Sequence, residues 1–124
     1  MGAVSRPSPA RVELGRAGEK AAAALLRRRG YEVIGTGFRA RRGELDLICR
    51  RGSELVVVEV KTRTDESFGT PLAAVGARKR QALTAAAAEY RALAHWRGEI
   101  RYAIVGLTVG AGGTFDVELV EDPW

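Results

Sequence analysis

The spacing of apolar positions along the chain switches between a period of about 3.6 and a period of about 2, and each switch predicts an element. From about Arg11 to Arg29 the run VELGRAGEKAAAALLRRR is rich in Ala, Leu, Arg and Glu, residues that lose little in becoming helical. Leu14, Gly18, Ala21 and Leu25 fall along one stripe of that helix, Ala22 with Leu26 widens it, and Gly30 stops it. YEVIGTGF, Tyr31 to Phe38, predicts a short strand interrupted by glycine. Two alternating strands follow. In ELDLIC, Leu45 and Leu47 are expected on one face and Glu44, Asp46 and Ile48 on the other. In ELVVVEVKT, Val56, Val58, Val60 and Thr62 oppose Leu55, Val57, Glu59 and Lys61. A second helix is expected from about Leu72 to Ala94, with Lys79, Leu83, Ala86, Tyr90 and Leu93 near one side. IRYAIVGLTV and TFDVELVED supply the last two strands, with AGG as the turn between them. The order is αβββαββ, which predicts an α/β fold.

The first ten residues hold two prolines and two serines and little to bury, so they are expected as a loose tail ahead of a single domain over residues 11–124. A chain of 124 residues fits one core. Twenty basic residues against 15 acidic ones give a net charge of +5, which favours polyanionic partners. Single Cys49 and His95 leave no intrachain disulfide and no Cys/His zinc cluster within one chain. Cys49, in a strand, is expected as a buried thiol, and His95 as a helix-capping residue. The absence of an apolar leader core and of a long apolar span predicts a cytoplasmic protein with no membrane partner. Neither GRAG nor AGG has the spacing of a nucleotide-binding loop.

The candidate chemistry lies in the two central strands. If Gly52 and Ser53 form the turn between them, Asp46 stands opposite Glu59 and Glu44 opposite Lys61. Carboxylate oxygens in such a group suit Mg²⁺ or Mn²⁺, with backbone carbonyls completing the shell. A lysine two residues after a ligating glutamate shares its strand face about 7 Å away, close enough to flank a reacting phosphate and to orient or deprotonate a water. The plainer alternative is a solvated sheet face, where each opposed charge pair contributes roughly 0.2 to 1 kcal/mol. Two like charges facing each other favour a cation, because an ion would remove their repulsion.

GRAGEKAAAALLRRRGYEVI, FRARRGELDLICRRG and VVVEVKTRTDESFGTPLAAVGARKRQALTAAAAEY, in that order, resemble the YraN-like (UPF0102) family of small bacterial proteins, themselves similar to Holliday-junction resolvases and other PD-(D/E)xK nucleases. The resemblance spans roughly residues 15 to 102. It implies a restriction-endonuclease-like core, a mixed central sheet flanked by helices. It implies a divalent metal held by Asp46, Glu59 and the Val60 carbonyl, with Lys61 assisting the water and Glu19 of the first helix beside the cluster. The chain departs from the family pattern at Gly37, where Asn is frequent, and at Ala103, where the fourth strand usually carries Asp.

Arg39, Arg41 and Arg42 precede the acidic strand, Arg63 follows Lys61, and Lys79 lies on the second helix; these are the candidate phosphate contacts, with Phe68 as a wedge or stacking residue. The function expected is metal-dependent hydrolysis of DNA, branched or structured DNA included. Two alternatives stand beside it. One is a catalytically inactive nucleic-acid-binding module, the other a homodimeric interaction protein paired through FDVELVED.

Overall fold

A computed structural model describes residues 9–64, 70 and 72–124, with side chains described from residue 13 onward. The order of elements is α1 (Pro9–Arg28), β1 (Glu32–Arg39), β2 (Glu44–Arg51), β3 (Glu54–Arg63), a 3₁₀ turn (Leu72–Ala74), α2 (Ala77–Ala94), β4 (Ile100–Val109), a second 3₁₀ turn (Ala111–Gly113) and β5 (Phe115–Glu121). The αβββαββ order therefore holds. The first helix starts at Pro9, two residues inside the segment expected as a tail. Phe68 lies outside the described residues.

The five strands form one sheet in the order β1-β2-β3-β4-β5. Only β3 and β4 are parallel, because α2 carries the chain back across the sheet between them. Each face of the sheet carries one helix and one core. On the α1 face Ala22, Leu26, Leu47, Cys49, Val56, Val58 and Val105 are buried; on the α2 face Leu45, Ile48, Leu55, Val57, Leu83, Ala86 and Ile104 are. Alanines at the centre of both helices let the helix backbones approach the valine-rich strands. Cys49 is a buried thiol, pushed up to about 11 by burial. His95 closes α2 in the left-handed conformation at φ 53°, its N–H donating to the Ala92 carbonyl.

Two expectations about facing are corrected. Leu45 packs with Ile48 on the α2 face, not with Leu47. The β1–β2 register runs unbroken through Thr36–Leu47 and Phe38–Leu45, so both strands turn over together. Gly37 permits this at φ 61°, a conformation that Asn, frequent there in the resembled family, also tolerates. Leu93, spaced onto the side of α2 that carries Leu83 and Ala86, is instead 71% exposed.

The hairpin register is the one the two-residue turn predicts. Arg51 pairs with Glu54 around Gly52, at φ 62°, and the ladder runs back to Leu47 opposite Val58. There it ends, one position short of Asp46 and Glu59. Glu44 pairs instead with Arg39 of β1, so the expected Glu44–Lys61 pair is not part of the ladder. At this point a side chain takes over from the backbone: the Val60 N–H donates to Asp46 Oδ2 at 2.8 Å.

Candidate functional site

The end of the β2–β3 ladder, together with α1, encloses a pocket of about 330 Å³ lined by Leu14, Gly15, Glu19, Asp46, Glu59, Val60, Lys61 and Thr62. Five residues singled out from the sequence thus come together: Glu19 from α1, Asp46 from β2, and Glu59, Val60 and Lys61 from β3. Helix α1 reaches this end of the sheet through Gly18, which is buried against Thr62; a Cβ there would collide with the Thr62 hydroxyl. The missing side chain brings the helix against the strand and sets Glu19 at the pocket wall.

Glu59 dominates the electrostatics. It is the one buried charged residue among the described residues, 3% exposed. Burial pushes its carboxyl up to about 7, the adjacent Asp46 carboxylate pushes in the same direction, and Lys79 and Lys61 oppose both. Oxygen Oε1 accepts from Lys79 Nζ at 3.3 Å, while Oε2 is buried with no hydrogen-bond partner among the described residues. Asp46 is also raised, chiefly by burial, against the hydrogen bond from the Val60 N–H and the charge of Lys79. Glu19 is raised by partial burial and then by Asp46 and Glu44, so four carboxylates share one field.

Such a cluster is costly without a cation. Buried like charges disfavour ionisation, and an unsatisfied buried carboxylate oxygen forgoes its hydration. Among the described residues no three His, Cys, Asp or Glu side chains gather closely enough to hold a metal ion by themselves. A cation here would rest on the Asp46 and Glu59 carboxylates, with the Val60 carbonyl as the neutral donor. The unpartnered Oε2 of Glu59 and the hard-oxygen character of the set fit Mg²⁺ or Mn²⁺.

The basic residues are more dispersed. Arg63 continues β3 two positions beyond Lys61 and is half-buried. Arg39 ends β1, exposed, in register with Glu44. Arg41 and Arg42 lie over the outer side of α2, lining a separate pocket with Ala85, Ala88, Glu89, Ala92 and Leu93, where the Arg41 N–H donates to Glu89 at 2.8 Å. These two do not line the acidic pocket. Lys79, spaced onto the side of α2 that carries Leu83 and Ala86 and expected to extend a positive surface, turns inward to Glu59. The signal for this was in the sequence: α2 opens with Arg78, Lys79 and Arg80 and has no acid in its first turn, the reverse of what the helix dipole favours.

Comparison with known proteins gives a consistent family. The profile described as Uncharacterised protein family UPF0102 matches residues 18–117. A UPF0102 protein of Anaeromyxobacter dehalogenans is 45% identical over 104 residues, covering 82% of this chain and 77% of that protein. One from Syntrophomonas wolfei is 42% identical over 101 residues, covering 81% and 88%. One from Chlorobium chlorochromatii is 35% identical over 121 residues, covering 94% of each.

Proposed function

The chain belongs to the uncharacterised protein family UPF0102, and we propose that it is a metal-dependent nuclease that hydrolyses phosphodiester bonds in DNA. The observation that carries this reading is the pairing of buried Glu59, with an unpartnered oxygen, and Asp46 in a pocket that Lys61 also lines.

Asp46 and Glu59 would hold Mg²⁺ or Mn²⁺ with the Val60 carbonyl. When bound, the ion would supply Lewis acidity toward a phosphate oxygen and ease deprotonation of the attacking water. The chain's own residues do the rest. Asp46 is fixed by the Val60 N–H, so one carboxylate oxygen keeps its position without any ion. Lys61 follows Glu59 by two positions, about 7 Å along the strand, and its ammonium orients the water or neutralises charge on the phosphate. Glu19 of α1 lines the same pocket, and its carboxylate is an acceptor available to a water there. The water oxygen forms the new bond to phosphorus and gives up its proton to solvent, the bond to the 3′ oxygen breaks, and that oxygen leaves with a proton taken from solvent. Arg63, beyond Lys61 on the same strand, is the nearest candidate for a flanking phosphate. Arg39, Arg41 and Arg42 extend the positive surface away from the pocket.

The salt bridge between Lys79 and Glu59 favours one alternative, an inactive nucleic-acid-binding module, because it already offers a counter-charge to the acids. A panel of duplex, flap, fork and four-way-junction DNAs, incubated with Mn²⁺ or Mg²⁺, separates the two. Cleavage that EDTA abolishes is expected. Binding to the panel without cleavage by the folded protein would leave the inactive module.

A further inference from the structure

Among the described residues, Lys79 of α2 contacts the acidic pair from outside both the hairpin and α1. Its Nζ lies 3.3 Å from Oε1 of a carboxylate whose side chain is 4% exposed, while its own side chain is 40% exposed. Its charge also acts on the neighbouring Asp46 carboxyl. Its place in the helix has no local justification. A cation in the first turn opposes the helix dipole, and Gly76 offers no side-chain cap there. The neighbouring bases behave differently: Arg78 is exposed, and Arg80 bonds the Val75 carbonyl and stacks on Trp124. Of the three, Lys79 alone is the one held by a buried carboxylate among the described residues.

We infer that Lys79 is a resident counterion of the Asp46–Glu59 pair that competes with the divalent cation for the same carboxylates, and so sets how tightly the site binds metal. The inference rests on the metal reading above. A fixed ammonium and a divalent ion both draw on the charge of Glu59, so each weakens the hold of the other. Such mutual weakening is reciprocal, and effects of this kind run from about fivefold to about 150-fold. Exposure of the Lys79 stem to solvent places this case near the lower end.

The test is calorimetry with Mn²⁺ alone on the full chain. Lys79→Met should bind Mn²⁺ at least about fivefold more tightly than the parent. Lys79→Arg, which keeps the charge, should stay near the parent value, and so should Arg78→Met, which removes a neighbouring charge that does not touch the acids. Should Lys79→Met fail to fold, Lys79→Gln carries the same expectation. The shift in melting temperature produced by Mn²⁺ should be larger for the neutral variant, giving a second readout independent of cleavage. Parent and Lys79→Met binding Mn²⁺ equally, or the variant more weakly, would overturn the counterion role and leave the metal site standing. An equal gain in Arg78→Met would assign the effect to overall charge and overturn it too. No Mn²⁺ binding by either protein would remove the metal reading and this inference with it.

Discussion

Replacing Glu59 by Gln should stabilise the metal-free protein, and the gain should depend on pH in a way that identifies its source. The folded-state carboxyl titrates near 7 against an ordinary 4.5, and the side chain is 4% exposed, so little of the effect is screened by water. At 1.36 kcal/mol for each pH unit separating the two, ionised Glu59 opposes folding by about 3 kcal/mol at pH 8. The direction follows from proton counts. Below pH 4.5 both folded and unfolded chains hold the proton, and nothing is lost. Between 4.5 and 7 the folded chain holds it while the unfolded chain does not, so stability falls as pH rises; above 7 the loss is complete. Glutamine carries no charge, but its buried amide leaves about 1 kcal/mol of unmet hydrogen bonding. The net gain at pH 8 is therefore about 2 kcal/mol, and it should vanish near pH 5. Urea denaturation of both proteins in EDTA at pH 5, 6, 7 and 8 measures the difference curve, in which carboxylates other than the adjacent Asp46 cancel. A difference that stays constant across this range would refute the assignment of the burden to Glu59. Added Mn²⁺ should reverse the order, because only the parent keeps both carboxylates, and an ion at 100 times its Kd adds about 2.7 kcal/mol.

Lys61→Ala should lower single-turnover DNA cleavage by at least about a hundredfold while calorimetry shows Mn²⁺ binding preserved, since the ammonium acts on water or phosphate and is not a ligand. Arg63→Ala should weaken binding to unrelated DNA sequences by similar factors and make the dependence of log K on log salt shallower by about one contact; an unchanged slope in filter binding would exclude a phosphate role. Gly18→Ala should cost about 1 to 2 kcal/mol in urea denaturation despite alanine's better helix propensity, because its Cβ meets Thr62, and Gly18→Ala with Thr62→Ala should recover most of the loss. Gly15→Ala, with nothing within 4 Å among the described residues, should instead gain about 0.5 to 1 kcal/mol.

The sequence by itself determined the elements and one register. Strict alternation in ELVVVEVKT separates the two faces of β3 as they are found, with Val56 and Val58 against α1 and Leu55 and Val57 against α2. The Gly52–Ser53 turn fixes the hairpin register, because a two-residue turn leaves a single pairing that keeps both faces consistent. Acids and a lysine on one face of that hairpin then mark the candidate site. Tertiary structure decided what periodicity cannot encode. Alternation assumes a straight strand, so it missed the turn-over at Gly37 that carries Leu45 to the α2 face. Helical spacing gives an angle around the axis but not what each turn meets, so Leu93, spaced onto the side of Leu83 and Ala86, is exposed where they are buried. The same spacing put Lys79 on the side of Leu83 and Ala86 without saying what it would meet there. A basic residue in the first turn of a helix reads as surface charge until the crossover from β3 brings that turn over Glu59, a residue 20 positions earlier in the chain. Only tertiary packing around the end of β3 excludes water from Glu59, and exclusion of water is what turns an ordinary strand glutamate into a carboxylate that calls for a cation.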